Sequence, residues 1–158
     1  VKPEPRPKTE MTNLKTKLLS NCISQVQKLA DTALAEMKEH QKMANDYVPA
    51  GDRYDAFRNQ MLRKRDQYAK QYQRALDDLL ILERIDPSIP NTKAGFGAVV
   101  HTNMNKLFIS ISLGKLTIGG DEYFAISAKV PIFSALEDSM KGDSFSFNGK
   151  QFKVLDVL

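Results

Sequence analysis

The sequence predicts an α+β protein: an N-terminal antiparallel helical hairpin (a coiled coil), then a small C-terminal antiparallel sheet domain with one short helix. Three observations carry that expectation. Apolar residues recur every three or four positions across 12–85, they alternate with polar ones from about residue 95 onward, and proline and glycine fall between these stretches. The divisions that follow are a disordered leader at 1–11, the hairpin at 12–85 with its tip at about 45–55, a linker at 86–94 and the sheet domain at 95–158.

The leader, VKPEPRPKTE, is polar and proline-rich and lacks the apolar core of a signal peptide. From Thr12 to Ala44 there is neither proline nor glycine, and helix formers dominate. Leu14, Leu18, Cys22, Val26, Leu29, Ala33 and Met37 form one buried stripe, with Thr12 or Asn13 as N-cap. Asn45-Asp46-Tyr47-Val48-Pro49-Ala50-Gly51 supplies the turn. A second stripe, Phe57, Met61, Arg65, Tyr68, Tyr72, Leu76, Leu79 and Leu82, ends before Asp86-Pro87. Two helices of this length joined by a short loop pack antiparallel. At about 1.5 Å rise per residue each arm reaches on the order of 50 Å, so much of the hairpin is expected to project.

Beyond Gly95 the period becomes two. Strands are expected at 98–102, 106–113, 122–127, 144–147 and 151–157, with Asn148-Gly149 as a hairpin turn. Residues 131–140, PIFSALEDSM, suit a short helix with proline in its first turn and Gly142 just past its end.

Composition narrows the function classes. At 42% hydrophobic and 27% charged residues, the chain is ordinary for a soluble protein. No apolar run approaches the roughly 18 residues of a membrane span. One cysteine and two histidines exclude a disulfide framework and a zinc site, and point to a reducing, cytoplasmic setting. The net charge is +4, and residues 86–158 carry seven basic and seven acidic groups, so the excess lies entirely in the N-terminal half. It is densest between Arg53 and Arg74, which makes a polyanionic partner plausible without demanding one.

Local motifs then resemble one family. Arg84-Ile85-Asp86 closes the second helix, and Phe96-Gly97-Ala98-Val99-Val100 opens the first strand. Ile126-Ser127, Val130-Pro131-Ile132, Ala135-Leu136, Gly142-Asp143 and Val154-Leu155-Asp156-Val157 follow in order. In order and spacing, over roughly residues 14–158, this series resembles the bacterial GreA/GreB transcript-cleavage factors. The resemblance implies an FKBP-like C-terminal domain without prolyl isomerase activity. It implies a monomer whose partners are RNA polymerase and the nascent RNA 3′ end, with no membrane involved and the hairpin inserted in the polymerase secondary channel. No independent catalytic site is expected; the factor stimulates the polymerase's own cleavage of backtracked RNA.

In that family two acids in a Gly-Asp-x-x-Glu pattern at the tip do the work. Here the equivalent stretch is Gly51-Asp52-Arg53-Tyr54-Asp55, with Asp as the second acid. Residues three apart at a helix start share a face, so Asp52 and Asp55 can address one hard cation. The resemblance implies magnesium held jointly with the polymerase and not by this chain alone. The same two residues also fit an N-cap and its N3 partner, and that alternative stands beside the catalytic one. The chain departs from the family after Asp55, where Ala56-Phe57-Arg58-Asn59 makes the tip less acidic, and in Tyr47-Val48-Pro49. Asp46 is a substitute acid or a solvated turn residue.

Arg58, Arg63, Lys64 and Arg65 are candidate RNA contacts, since phosphate attraction requires only exposed positive charge; a solvated helix face is the competing account. Part of the Arg65 stem is expected to pack on the stripe. Tyr68 and Tyr72 read as core residues and Cys22 as a small packing residue. His40 and His101 have no evident acid or nucleophile beside them, so no hydrolase site is indicated. Three functions remain: a transcript-cleavage factor using Asp52 and Asp55, a Gre-like channel-binding regulator or inhibitor without cleavage, and a coiled-coil adaptor or holdase gripping a client through Tyr47, Val48 and Phe57.

Overall fold

The computed structural model describes the backbone of residues 8–46 and 52–158, with side chains in the second stretch from residue 56 onward. The expected leader through residue 7 and the turn residues Tyr47, Val48, Pro49, Ala50 and Gly51 lie outside the described residues, as do the side chains of Asp52, Arg53, Tyr54 and Asp55.

The fold is α+β. Two long helices, α1 (Lys8–Asp46) and α2 (Asp52–Glu83), precede β1 (Val99–Thr102), β2 (Lys106–Ser110), β3 (Gly114–Ile118), β4 (Asp121–Ser127), the short helix α3 (Pro131–Leu136), β5 (Ser144–Phe147) and β6 (Lys150–Val157). The chain forms two compact units. One comprises the chain up to Cys22 together with Ile81–Leu158; the other is Ile23–Leu80.

The Ile23–Leu80 unit is a helix pair. Val26, Ala30, Ala33 and Ala44 of α1 and Met61 and Ala75 of α2 are buried, and the small alanines leave room for close backbone approach. The His40 ring packs on Tyr68 with centroids 5.3 Å apart, and Gln41 accepts a hydrogen bond from Arg65. Partner numbers fall as α1 numbers rise, so the helices run antiparallel. The α2 stripe is as expected, each of its members from Phe57 to Leu79 being buried or half-buried. On α1 the stripe differs at one point. Leu29 is 57% exposed and Ala30 takes its place. Steps of three and four from Val26 are equally helical, and packing against α2 selects the second.

In the other unit α1 begins at Lys8, ahead of the caps expected at Thr12 or Asn13. Thr12 instead donates its hydroxyl to the Lys8 carbonyl at 2.9 Å, bonding back within the helix. Met11, Lys15, Leu18 and Cys22 are buried, which extends the stripe to the helix start. Lys15 is only 1% exposed. Its Nζ donates to the Ile89 carbonyl at 2.9 Å and to Asn91 Oδ1 at 2.6 Å, fastening α1 to the connector 74 and 76 residues downstream.

The sheet order is β3-β4-β2-β1-β6-β5. It is mixed where a wholly antiparallel sheet was expected, because β2 and β4 pair in parallel, Leu107 with Phe124 through Ser110 with Ser127. The cause is β3, a strand the sequence did not reveal. The run expected at 106–113 breaks after Ser110, and Gly114 restarts the chain at φ 88°. β3 then occupies the sheet edge and returns through a hairpin, so β4 enters beside β2 in the same direction. β1 and β2 are buried on both faces, as the inner strands of a covered sheet must be. One face carries Val100, Leu107, Ile109, Phe152 and Val154 against Phe133 and Leu136 of α3. On the other, Ser110 meets Cys22 of α1.

α3 ends at Leu136, four residues short of the expected Met140. Asp138 turns to φ 62°, and the chain then pairs with the connector: Asp138 N–H donates to the Ala94 carbonyl and Ala94 N–H to that of Ser139. Asn148 and Gly149 adopt φ 50° and 74°, giving the two left-handed positions of the expected tight hairpin. It brings Phe145 and Phe152 into a stacked pair 4.9 Å apart.

Candidate functional site

The backbone places Asp52 as the first residue of α2 and Asp55 in its first turn. Both therefore stand at the positive end of the helix dipole, where carboxylates are favoured whether they cap the helix or face a ligand. Asp46, the last residue of α1, is exposed. Among the described residues no group of three or more histidine, cysteine or acidic side chains could hold a metal ion.

The four basic candidates do not form one patch. Arg58, Arg63 and Lys64 are exposed. Arg65 is half-buried; it donates to Gln41 Oε1 on α1 and to Asp66 Oδ1 from both Nε at 3.0 Å and Nη2 at 2.7 Å. At about 100° per residue, Arg58 and Arg65 point the same way, while Arg63 lies about 140° round the helix from Arg58. Arg63 instead shares its side with Lys70 and Arg74, both exposed. The spacing of seven and four that links these three was present in the sequence, and the contiguous Arg63-Lys64-Arg65 run drew attention from it.

The remaining candidates are structural. Burial pushes the Cys22 thiol up to about 11, with the neighbouring Ser110 hydroxyl pulling weakly the other way, so it is a packing group as expected. His40 places Nδ1 2.7 Å from the Glu36 carbonyl oxygen and its ring on Tyr68. His101 is buried on β1, its ring 6.1 Å from that of Tyr123. Asp86, from the Ile85-Asp86 motif, accepts from the Ser88 hydroxyl at 2.6 Å and the Ser88 N–H at 2.9 Å. Those two bonds, with the Lys15 ammonium as a smaller contribution, hold its carboxyl below the usual range. Arg84 lies over the Phe96 ring at 5.7 Å. These two motifs therefore meet at the connector.

Sequence reasoning missed Lys15. Desolvation lowers its amine from 10.5 to about 8, against an opposing pull from Asp86. It also missed a groove of about 490 Å³ in the Ile23–Leu80 unit, which runs along α1 beside Arg65. No described helix is long and apolar enough to cross a membrane.

The described residues thus define an α+β protein of two long helices and a six-stranded mixed sheet, with an acidic pair where the second helix begins. No known family and no curated protein matches the chain. Among solved structures, one described as that of the transcription factor Gfh1 is similar, with 16% sequence identity over 87% of this chain and 93% of that one and a TM-score of 0.35.

Proposed function

We propose that this chain is a Gre-like transcription factor that binds RNA polymerase, inserts the end of its helix pair into the secondary channel and promotes cleavage of backtracked RNA. The observation that carries the reading is the position of the acidic pair. Asp52 and Asp55 fall in the first turn of α2, next to the break between two long helices, in a chain whose later motifs follow the Gre order.

Two carboxylates cannot fill the octahedral shell of magnesium, so the polymerase supplies the rest of the site. Asp52 and Asp55 would hold magnesium jointly with the polymerase, and the ion would supply water activation and stabilisation of a leaving oxygen. The chain's own contribution is to deliver two negative charges to the reacting phosphate's neighbourhood and hold them one helical turn apart. The second reading, a channel-binding regulator without cleavage, is favoured by one feature: exposed Arg58 stands one turn beyond Asp55 and offsets its charge.

The test is RNA 3′-end cleavage in backtracked elongation complexes containing polymerase and magnesium. The proposal expects stimulation by the wild-type chain and its loss with Asp52→Asn plus Asp55→Asn. Binding without stimulation selects the regulator. Absence of binding removes both.

A further inference from the structure

We infer that the α1 face between Leu34 and Asp46 is a docking groove for an acidic, apolar-anchored segment of the partner polymerase. The identity of the partner rests on the reading above; the chemistry of the groove is read from its residues. The groove holds about 490 Å³, within the range of surface clefts that seat ligand side chains. Half-buried Leu34 and Met37 form its floor, Lys38 and Lys42 its rim, and Arg65 its far wall.

Gln41, Asn45 and Arg65 are already paired. Gln41 donates to Asn45 at 2.9 Å and accepts from Arg65, whose guanidinium is also paired with Asp66 at 2.7 Å. What remains open is the two ammonium groups of Lys38 and Lys42 and, at one end, the Asp46 carboxylate. Lys38 and Lys42 are exposed, and among the described residues neither forms an ion pair. They stand one turn apart, where like charges repel. A carboxylate seated between them relieves that repulsion, and an aliphatic or aromatic side chain beside it covers Leu34, Met37 and the lysine stems. Asp46, at the end of the groove, disfavours a second acid there. From Leu34 to Asp46 the face is about 18 Å long at 1.5 Å per residue, a match for roughly three turns of a partner helix. A nucleic acid would use the two ammonium groups but has no need of the apolar floor.

The experiment is zero-length carbodiimide cross-linking of the full chain to purified bacterial RNA polymerase core enzyme, with peptide mapping. Affinities are measured alongside for the wild type, Lys38→Glu plus Lys42→Glu, and Met37→Gln, each checked for unchanged helicity. We expect amide links from Lys38 or Lys42 to polymerase aspartates or glutamates. The charge reversal should weaken binding at least tenfold, and Met37→Gln about threefold. Cross-links confined to other lysines, with affinities within twofold of wild type, overturn the groove while leaving polymerase binding intact. Failure of the wild type to bind overturns both readings. Binding of a labelled single-stranded RNA that depends on the same lysines, with no polymerase carboxylate joined to them, overturns the protein segment as occupant.

Discussion

Replacing Lys15 by methionine keeps an unbranched side chain one atom shorter and removes its charge. In the folded protein this amine loses its proton at about 8, below its ordinary 10.5, because burial strips water from the ammonium. Between those two values the unfolded chain binds more protons than the folded one, so this group makes stability rise with pH there. Integrated from pH 7 to 9.5, the gain is about 2 kcal/mol. Cys22 acts in the opposite sense, since its thiol is raised from 9.0 to about 11 and its contribution falls as pH climbs through that interval. Absolute stabilities therefore mix the two, whereas the difference between wild type and Lys15→Met isolates the lysine. Urea denaturation followed by far-ultraviolet circular dichroism suits the measurement, because the chain has no tryptophan. The difference in unfolding free energy should move in favour of the wild type by about 2 kcal/mol from pH 7 to 9.5. Curves that stay parallel within about 0.5 kcal/mol would show that the ammonium is solvated and that its bonds to Ile89 and Asn91 do not bury its charge.

Three further outcomes follow from packing and turn geometry. Leu18→Ala, at a fully buried position, should cost about 2–5 kcal/mol, whereas Leu29→Ala should stay within about 0.5 kcal/mol; paired thermal melts decide whether the stripe runs through Ala30. The Cys22 thiol should react with an aromatic disulfide reagent at pH 8 at least about 100-fold more slowly in buffer than in denaturing urea, since it is buried and its thiolate is disfavoured. Gly149→Ala, at φ 74°, should lower stability by about 1 kcal/mol, and an unchanged melting temperature would argue against the left-handed turn.

The fold was legible where a signal is local. The α2 stripe, the Asn148-Gly149 turn and the strands with clear alternation are set by neighbours in sequence, and the α1 stripe follows its periodicity except where packing replaces Leu29 by Ala30. β3 was not legible because Leu107, Ile109, Ile111 and Leu113 keep a period of two straight through the break after Ser110. Only Leu116 is buried in β3 itself, so that edge strand leaves almost no pattern of its own. The parallel pairing of β2 with β4 follows from β3 and was lost with it. The early end of α3 has the same origin. PIFSALEDSM reads as helix throughout, and the hydrogen bonds that stop it come from Ala94, more than forty residues earlier.

At the candidate site the same division holds, and it separates two kinds of charge. Asp52 and Asp55 are proposed from their spacing and their motif, both local, and the helix start at Asp52 is local as well. Lys15 and Arg65 differ because their roles are fixed by partners 76 and 24 residues away. Each carries the same letter as a solvated helix residue, and nothing nearby in sequence distinguishes a lysine bound to a connector carbonyl from one in water. Lys38 and Lys42 are the converse: their exposure was predictable, but the groove between them and Arg65 exists only once α1 and α2 are set in antiparallel register. An antiparallel helix pair thus converts a dispersed positive charge into specific positions, some spent on holding the helices and connector, others left facing outward. That partition supports reading the outward set, which includes Lys38, Lys42, Arg58, Arg63, Lys64, Lys70 and Arg74, as surface available to partners, and Arg65 as part of the frame that presents it.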